Sequence, residues 1–111
     1  MKRDYRLYVD DIRACILTIE DYLKDISEND FKNNIEKQDA VIRRIEIIGE
    51  ASRNIPRALK EVNRDIPWEI LANFRNYIAH SYFETSLDRI WKIAKYDIPK
   101  LKLLFRKIRL V

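Results

Sequence analysis

This sequence holds one glycine, three prolines, one cysteine and one histidine in 111 residues. So little glycine and proline leaves few places for tight turns, which points to helices joined by short links. The single cysteine, Cys15, excludes an intrachain disulfide. With one histidine beside it, no Cys/His cluster of the kind that holds zinc can form, and no metal or other cofactor is expected. No apolar run approaches the ~20 residues of a membrane span, and residues 1–13 are charged throughout, unlike a signal peptide. The expectation is a protein of the reducing cytoplasm with no membrane role.

What is present is 47% hydrophobic and 36% charged residues in interleaved blocks, the composition of a folded chain. Residues 1–111 suit a single domain with one core. A net charge of +4 permits attraction to nucleic acid but is too small to argue for it alone.

Hydrophobic spacing predicts an all-α bundle of four to five helices, up and down. In the first helix, from about Asp4 to Ile26, Tyr5, Tyr8, Ile12, Cys15, Ile19, Tyr22 and Ile26 alternate three and four apart. Val9, Ile16 and Leu23 widen that seam into a broad apolar face, and Cys15 falls on it as a small core residue. A second helix is expected from about Phe31 to Asn54. Its seam is polar at Asn34 and Gln38 and apolar from Val41 onward, so its start is expected to face solvent or a partner. Gly49 sits mid-helix, where glycine costs roughly 1 kcal/mol against alanine. With Ala51 and Ser52 it forms a small-residue patch at which another backbone can approach closely, and Glu50 lies in that patch. Glu50 is either an exposed glutamate or a helper beside an active site. A short helix follows Pro56, in a corner made basic by Arg53, Arg57, Lys60 and Arg64. A third long element is predicted from Pro67 to about His80, then a turn at 83–85 and a last helix capped by Thr85 or Ser86. Pro99 should kink or break that helix near 96–98.

The third long element carries the stretch with chemistry: Arg75-Asn76-Tyr77-Ile78-Ala79-His80-Ser81-Tyr82. Arg is a permanent cation suited to phosphate, and His exchanges protons near neutral pH. Together they are sufficient for acid–base chemistry at a phosphodiester without a metal. On a helix, at about 100° per residue, Arg75 and Tyr82 share one face and Asn76 and His80 another. Arg75 and His80 stand roughly 140° apart, so one ideal helix does not bring them together. Either the helix ends before His80 and the chain turns the imidazole back, or two copies pair so that one site draws on both chains.

At these residues the sequence resembles a family. Arg75-x4-His80-x-Tyr82 looks like the R-x4-H-x-Y motif of the HEPN superfamily, in the form found in HepT-like toxins. Ile48-Gly49-Glu50-Ala51, Pro67-Trp68, Arg75-Asn76, His80-Ser81-Tyr82-Phe83 and the Asp88–Trp91 opening of the final helix also match that pattern, across nearly the whole chain. The resemblance implies a helical homodimer that cuts RNA without a metal. It further implies the toxin half of a toxin–antitoxin pair whose antitoxin is a small MNT-type nucleotidyltransferase. By motif, Arg75 would polarise the scissile phosphate, His80 would move protons, and Asn76 would position one or the other. Tyr82 would be the tyrosine to which the antitoxin attaches AMP, adding bulk and negative charge. The alternative is a non-catalytic HEPN partner that binds nucleotide or protein and presents Tyr82 to the transferase.

Overall fold

The first three helices each begin where a side chain satisfies orphan backbone donors. The computed structural model describes residues 3–84 and 87–110. Asp4 caps α1 (Tyr5–Tyr22), its carboxylate accepting from the Arg6 amide at 3.0 Å. Val9, Ile12, Cys15, Ile16 and Ile19 of that helix are buried, with Leu23 just beyond. The expected tyrosine ends of the seam, Tyr5, Tyr8 and Tyr22, are only partly buried, so the apolar stripe is centred nearer Val9, Ile16 and Leu23. Cys15 lies within it, and burial pushes its thiol pKa up, against the smaller opposing effect of Arg44. It is an inert core group.

The second predicted helix is in fact two. Ser27 and Asp30 form a reciprocal capping box that starts α2 (Glu28–Lys32), and Asn34 caps α3 (Ile35–Arg53) by accepting from the Lys37 amide at 3.0 Å. The break comes from paired asparagines. Asn33 bonds back to the Asn29 carbonyl at 2.9 Å while Asn34 turns its amide to the new helix, and both compete with a continuous backbone ladder. Gln38, on the polar half of the seam, donates to the carbonyls of Phe31 and Lys32 at 2.9 and 3.1 Å. Its polarity closes the end of α2, although Ile35 beside it is 72% exposed.

Helix α4 (Arg57–Val62) follows Pro56, and α5 (Trp68–Glu84) follows Pro67. Helix α6 (Leu87–Lys92) then runs through a π-helical turn, Ile93–Asp97, into α7 (Ile98–Arg106). The kink expected at Pro99 takes this form. Proline offers no N–H to the Lys95 carbonyl, and the wider turn, with the Ile98 amide bonded to the Ile93 carbonyl, absorbs the mismatch. The Thr85 or Ser86 cap lies outside the described residues.

Helix α3 packs between α1 and α5, and α7 lies against α1. Across that last contact, the Arg13 guanidinium donates to the Phe105 carbonyl at 2.9 Å, and Lys102 pairs with Glu20 at 2.9 Å. The architecture is an all-α bundle of four long rods with two short helices, as the spacing predicts.

Asn63 is a structural residue that the pattern of apolar spacing does not flag. Only 8% exposed, its side chain exchanges two hydrogen bonds with the Arg109 backbone, both 2.8 Å, and donates to the Leu59 carbonyl. Its own carbonyl accepts from the Trp68 indole at 3.0 Å. Removing the amide leaves buried partners unsatisfied, so Asn63→Ala is expected to lower the unfolding free energy by about 2–3 kcal/mol. Urea denaturation checks this; a change within experimental error would mean that water replaces the amide.

Candidate active site

Between Pro67 and Glu84 there is no glycine or proline, and α5 is helical throughout Trp68–Glu84. The helix therefore does not end before His80, and the turn expected at residues 83–85 does not begin at 83. The chain is held in register by its inner face: Leu71, Phe74 and Ile78 are buried, three and then four residues apart. Trp68, Phe74 and Trp91 all lie in the core, as expected of them.

The second half of α5 bears the motif. Arg75 and Asn76 are exposed. His80 and Tyr82 stand on the same unbroken helical backbone, one and nearly two turns further on; their side chains lie outside the described residues. With the helix continuous, the azimuths hold: Arg75 and Tyr82 within about 20° of one another, Arg75 and His80 roughly 140° apart. None of the ion pairs among the described residues involves Arg75. An exposed guanidinium with no ion pair among the described residues is available to an anion.

Gly49 explains how α5 is seated. A Cβ at that position would stand 3.1 Å from the Leu71 carbonyl oxygen, 3.6 Å from the Arg75 amide nitrogen and 3.6 Å from the Phe74 Cβ. The small-residue patch is thus the crossing point of α3 and α5, immediately under the arginine. Ser52, fully buried there, returns its hydroxyl to the Gly49 carbonyl at 2.8 Å. Glu50 is exposed next to this crossing, and its backbone carbonyl accepts from the Asn54 side chain at 2.9 Å. Gly49→Leu would force the two helices apart; a loss of about 2–3 kcal/mol of stability is expected, read by thermal or urea unfolding. An unchanged midpoint would show that the crossing has slack.

The basic corner resolves into separate duties. Arg53 donates to the Ala72 carbonyl of α5 at 3.0 Å, Arg57 pairs with Glu61 at 3.3 Å, and the Lys60 ammonium lies 6.0 Å from the Trp68 ring centroid. Of these, Arg53 ties α3 to α5, while the Arg57–Glu61 pair lies exposed along α4 and adds little. No group of three or more His, Cys, Asp or Glu among the described residues is arranged to hold a metal ion.

Residues 12–108, which include the whole motif, match the family described as Ribonuclease HepT-like. The chain belongs to that family. It is 43% identical to a protein named "Probable ribonuclease HepT" from Thermococcus cleftensis, over 98% of this chain and 99% of that one. It is 41% identical to a protein named for RNase activity from Methanocaldococcus jannaschii, covering 91% of this chain and 93% of that one. A second protein of that organism, named for both gamma-glutamylcyclotransferase and RNase activity, is 45% identical over 92% of this chain, which spans 46% of its length. No solved structure matches the chain. As a HepT-like protein the chain has the all-helical fold that its spacing predicts, with the motif on one continuous helix.

Proposed function

We propose that this HepT-like protein is an endoribonuclease whose active site is assembled by two copies of the chain. The observation that carries the reading is the unbroken α5. It leaves Arg75 exposed, with no ion pair among the described residues, yet on a different face from the His80 position. A continuous helix favours a second chain as the way for an arginine and a histidine to meet at one phosphate. In a two-fold pair, α5 of one protomer supplies Arg75 and α5 of the other supplies His80.

The chemistry needs no added nucleophile. The RNA 2′-hydroxyl attacks its own phosphorus, His80 takes or delivers the proton, and the 5′-oxygen of the next nucleotide leaves. Arg75 stabilises the charge that builds on the non-bridging oxygens, and its fork suits two of them at once. Asn76, on the His80 face, donates to the phosphate or steadies the imidazole. Glu50, exposed beside the α3–α5 crossing, is the acidic helper of the expected set. No metal ion takes part in this scheme, and RNA is the substrate.

The same site fits the toxin half of a toxin–antitoxin pair, with an MNT-type nucleotidyltransferase as the antitoxin. Tyr82, on the Arg75 face, is the residue to receive AMP. The attached phosphate would occupy the arginine and repel the strand. The reaction predicts fragments ending in 2′,3′-cyclic phosphate. Incubation of purified protein with a mixed-sequence RNA, followed by end-group analysis, tests it. Intact RNA in the presence of a folded dimer would favour a binding-only partner of the transferase instead.

A further inference from the structure

Between α5 and the π-helical turn lies a groove. Two adjoining cavities of about 260 and 240 Å³ form it, and both are walled by Ile70, Phe74 and Asp97. Ile93 completes the apolar floor, and Arg89 and Lys92 line the end towards α6. Ile70 is 51% exposed, an apolar side chain left at the lip of the groove. Asp97 is the last residue of the π turn and is half-buried in the wall. The turn that Pro99 imposes therefore borders a cavity, and wide helical turns of this kind occur often at functional sites.

The groove is next to the motif in sequence and in space. Phe74, shared by both cavities, immediately precedes Arg75, and six residues at about 1.5 Å each set it roughly 9 Å along the axis from His80. An occupant would be a neighbour of the scissile nucleotide. Its chemistry is constrained on three sides: flat and apolar against Ile70, Phe74 and Ile93, anionic towards Lys92, and a hydrogen-bond donor towards a carboxylate. An unstacked nucleotide has all three properties.

We propose that this groove holds a base of the substrate strand beside the cleavage site and selects guanine through Asp97. The selection follows from the donors each base offers. An ionised carboxylate has two acceptor oxygens and no donor. Guanine alone presents two adjacent donors, N1–H and the 2-amino group, on its Watson–Crick edge. Adenine and cytosine each set one amino group beside a ring-nitrogen acceptor that faces the carboxylate unfavourably. Uracil sets a single N–H between two carbonyl oxygens. A site built to satisfy paired donors rejects ligands that lack them more strongly than an apolar slot does. Lys92, exposed at the rim, meets the phosphate and adds affinity without choosing the base. The inference rests on the ribonuclease reading for its place in a reaction, but binding can be measured without cleavage.

The test is titration of the full chain with 5′-GMP, 5′-AMP, 5′-CMP and 5′-UMP in turn, by calorimetry. Wild-type protein is expected to prefer GMP by about ten- to a hundredfold. Asp97→Asn keeps the shape, offers one acceptor in place of two, and should bring that ratio close to one. Lys92→Ala should weaken all four nucleotides alike and leave the ratio intact. Should Asp97→Asn fail to fold, Ile70→Ala, which removes only a half-exposed side chain, is expected to weaken GMP binding severalfold. In cleavage of a mixed-sequence RNA, sites next to guanine should dominate for wild type and lose that dominance for Asp97→Asn. Equal affinity for the four nucleotides, or a guanine preference that survives Asp97→Asn, would overturn the proposal. Guanine-selective binding with no cleavage would instead leave the groove standing and count against the ribonuclease reading.

Discussion

Arg75→Ala is expected to reduce RNA cleavage by about 10²–10³-fold, the usual cost of removing a preorganised group that stabilises charge in the transition state. The fold should be indifferent to the change. Arg75 is exposed on the outer side of α5, none of the ion pairs among the described residues involves it, and the helix is seated by Leu71, Phe74 and Ile78. Stability and helical content should therefore match wild type while activity falls. Arg75→Lys separates charge from shape: it keeps the cation but loses the planar fork, and an intermediate activity is expected. His80→Ala should lose about 10²–10⁴-fold, because the proton then has no acceptor of suitable pKa at the site. Initial rates on a defined RNA oligonucleotide, with circular dichroism as the control on folding, measure both. Full activity in either alanine variant would remove that residue from the mechanism.

The second large effect concerns Tyr82. It lies seven residues beyond Arg75 on a helix that continues to Glu84, so the two positions share a face about 10.5 Å apart along the axis. AMP joined to the Tyr82 hydroxyl would carry its phosphate towards the arginine. Co-expression with an MNT-type transferase is expected to yield protein heavier by one AMP, with RNA cleavage reduced to background. Tyr82→Phe cannot accept the group. It should stay active and growth-inhibiting in the presence of the transferase, while intact mass shows no addition. Modification of Tyr82→Phe at another residue would misplace the switch, and an active AMP-bearing protein would mean that the group does not block the site.

Much of this was open to reading because the relevant signals are local. The spacing of Val9, Ile12, Ile16 and Ile19 is a property of one helix, and so is that of Leu71, Phe74 and Ile78. The burial of Cys15 follows from its place on such a stripe. The misreadings have physical sources. Asn33 and Asn34 read equally well as the polar start of a helix or as two caps, and only the carbonyls of α2, satisfied by Gln38, decide for caps. The helix end expected near His80 does not occur, because no residue from 68 to 84 is a glycine or a proline that would stop a helix. Polarity marks a face; it does not terminate a ladder.

The groove at Asp97 and the clasp at Asn63 rest on pairs far apart in the chain. Asn63 meets Arg109, and Asp97 meets Ile70 and Phe74 across the space between two helices. No period in the sequence encodes such meetings. Pro99 was the one available hint, since a proline inside a helical pattern forces some local departure, here a π turn that lines a cavity.

A site shared by two chains is tested most directly by mixing two variants that each lack one half of it. Arg75→Ala protein and His80→Ala protein are each expected to be nearly inactive alone. Exchanged into mixed dimers, one of the two sites would receive Arg75 from one chain and His80 from the other. With equal amounts and random exchange, activity should return to about a quarter of wild type. No recovery, with mixed dimers demonstrated by native mass spectrometry, would contradict a site built across the two chains.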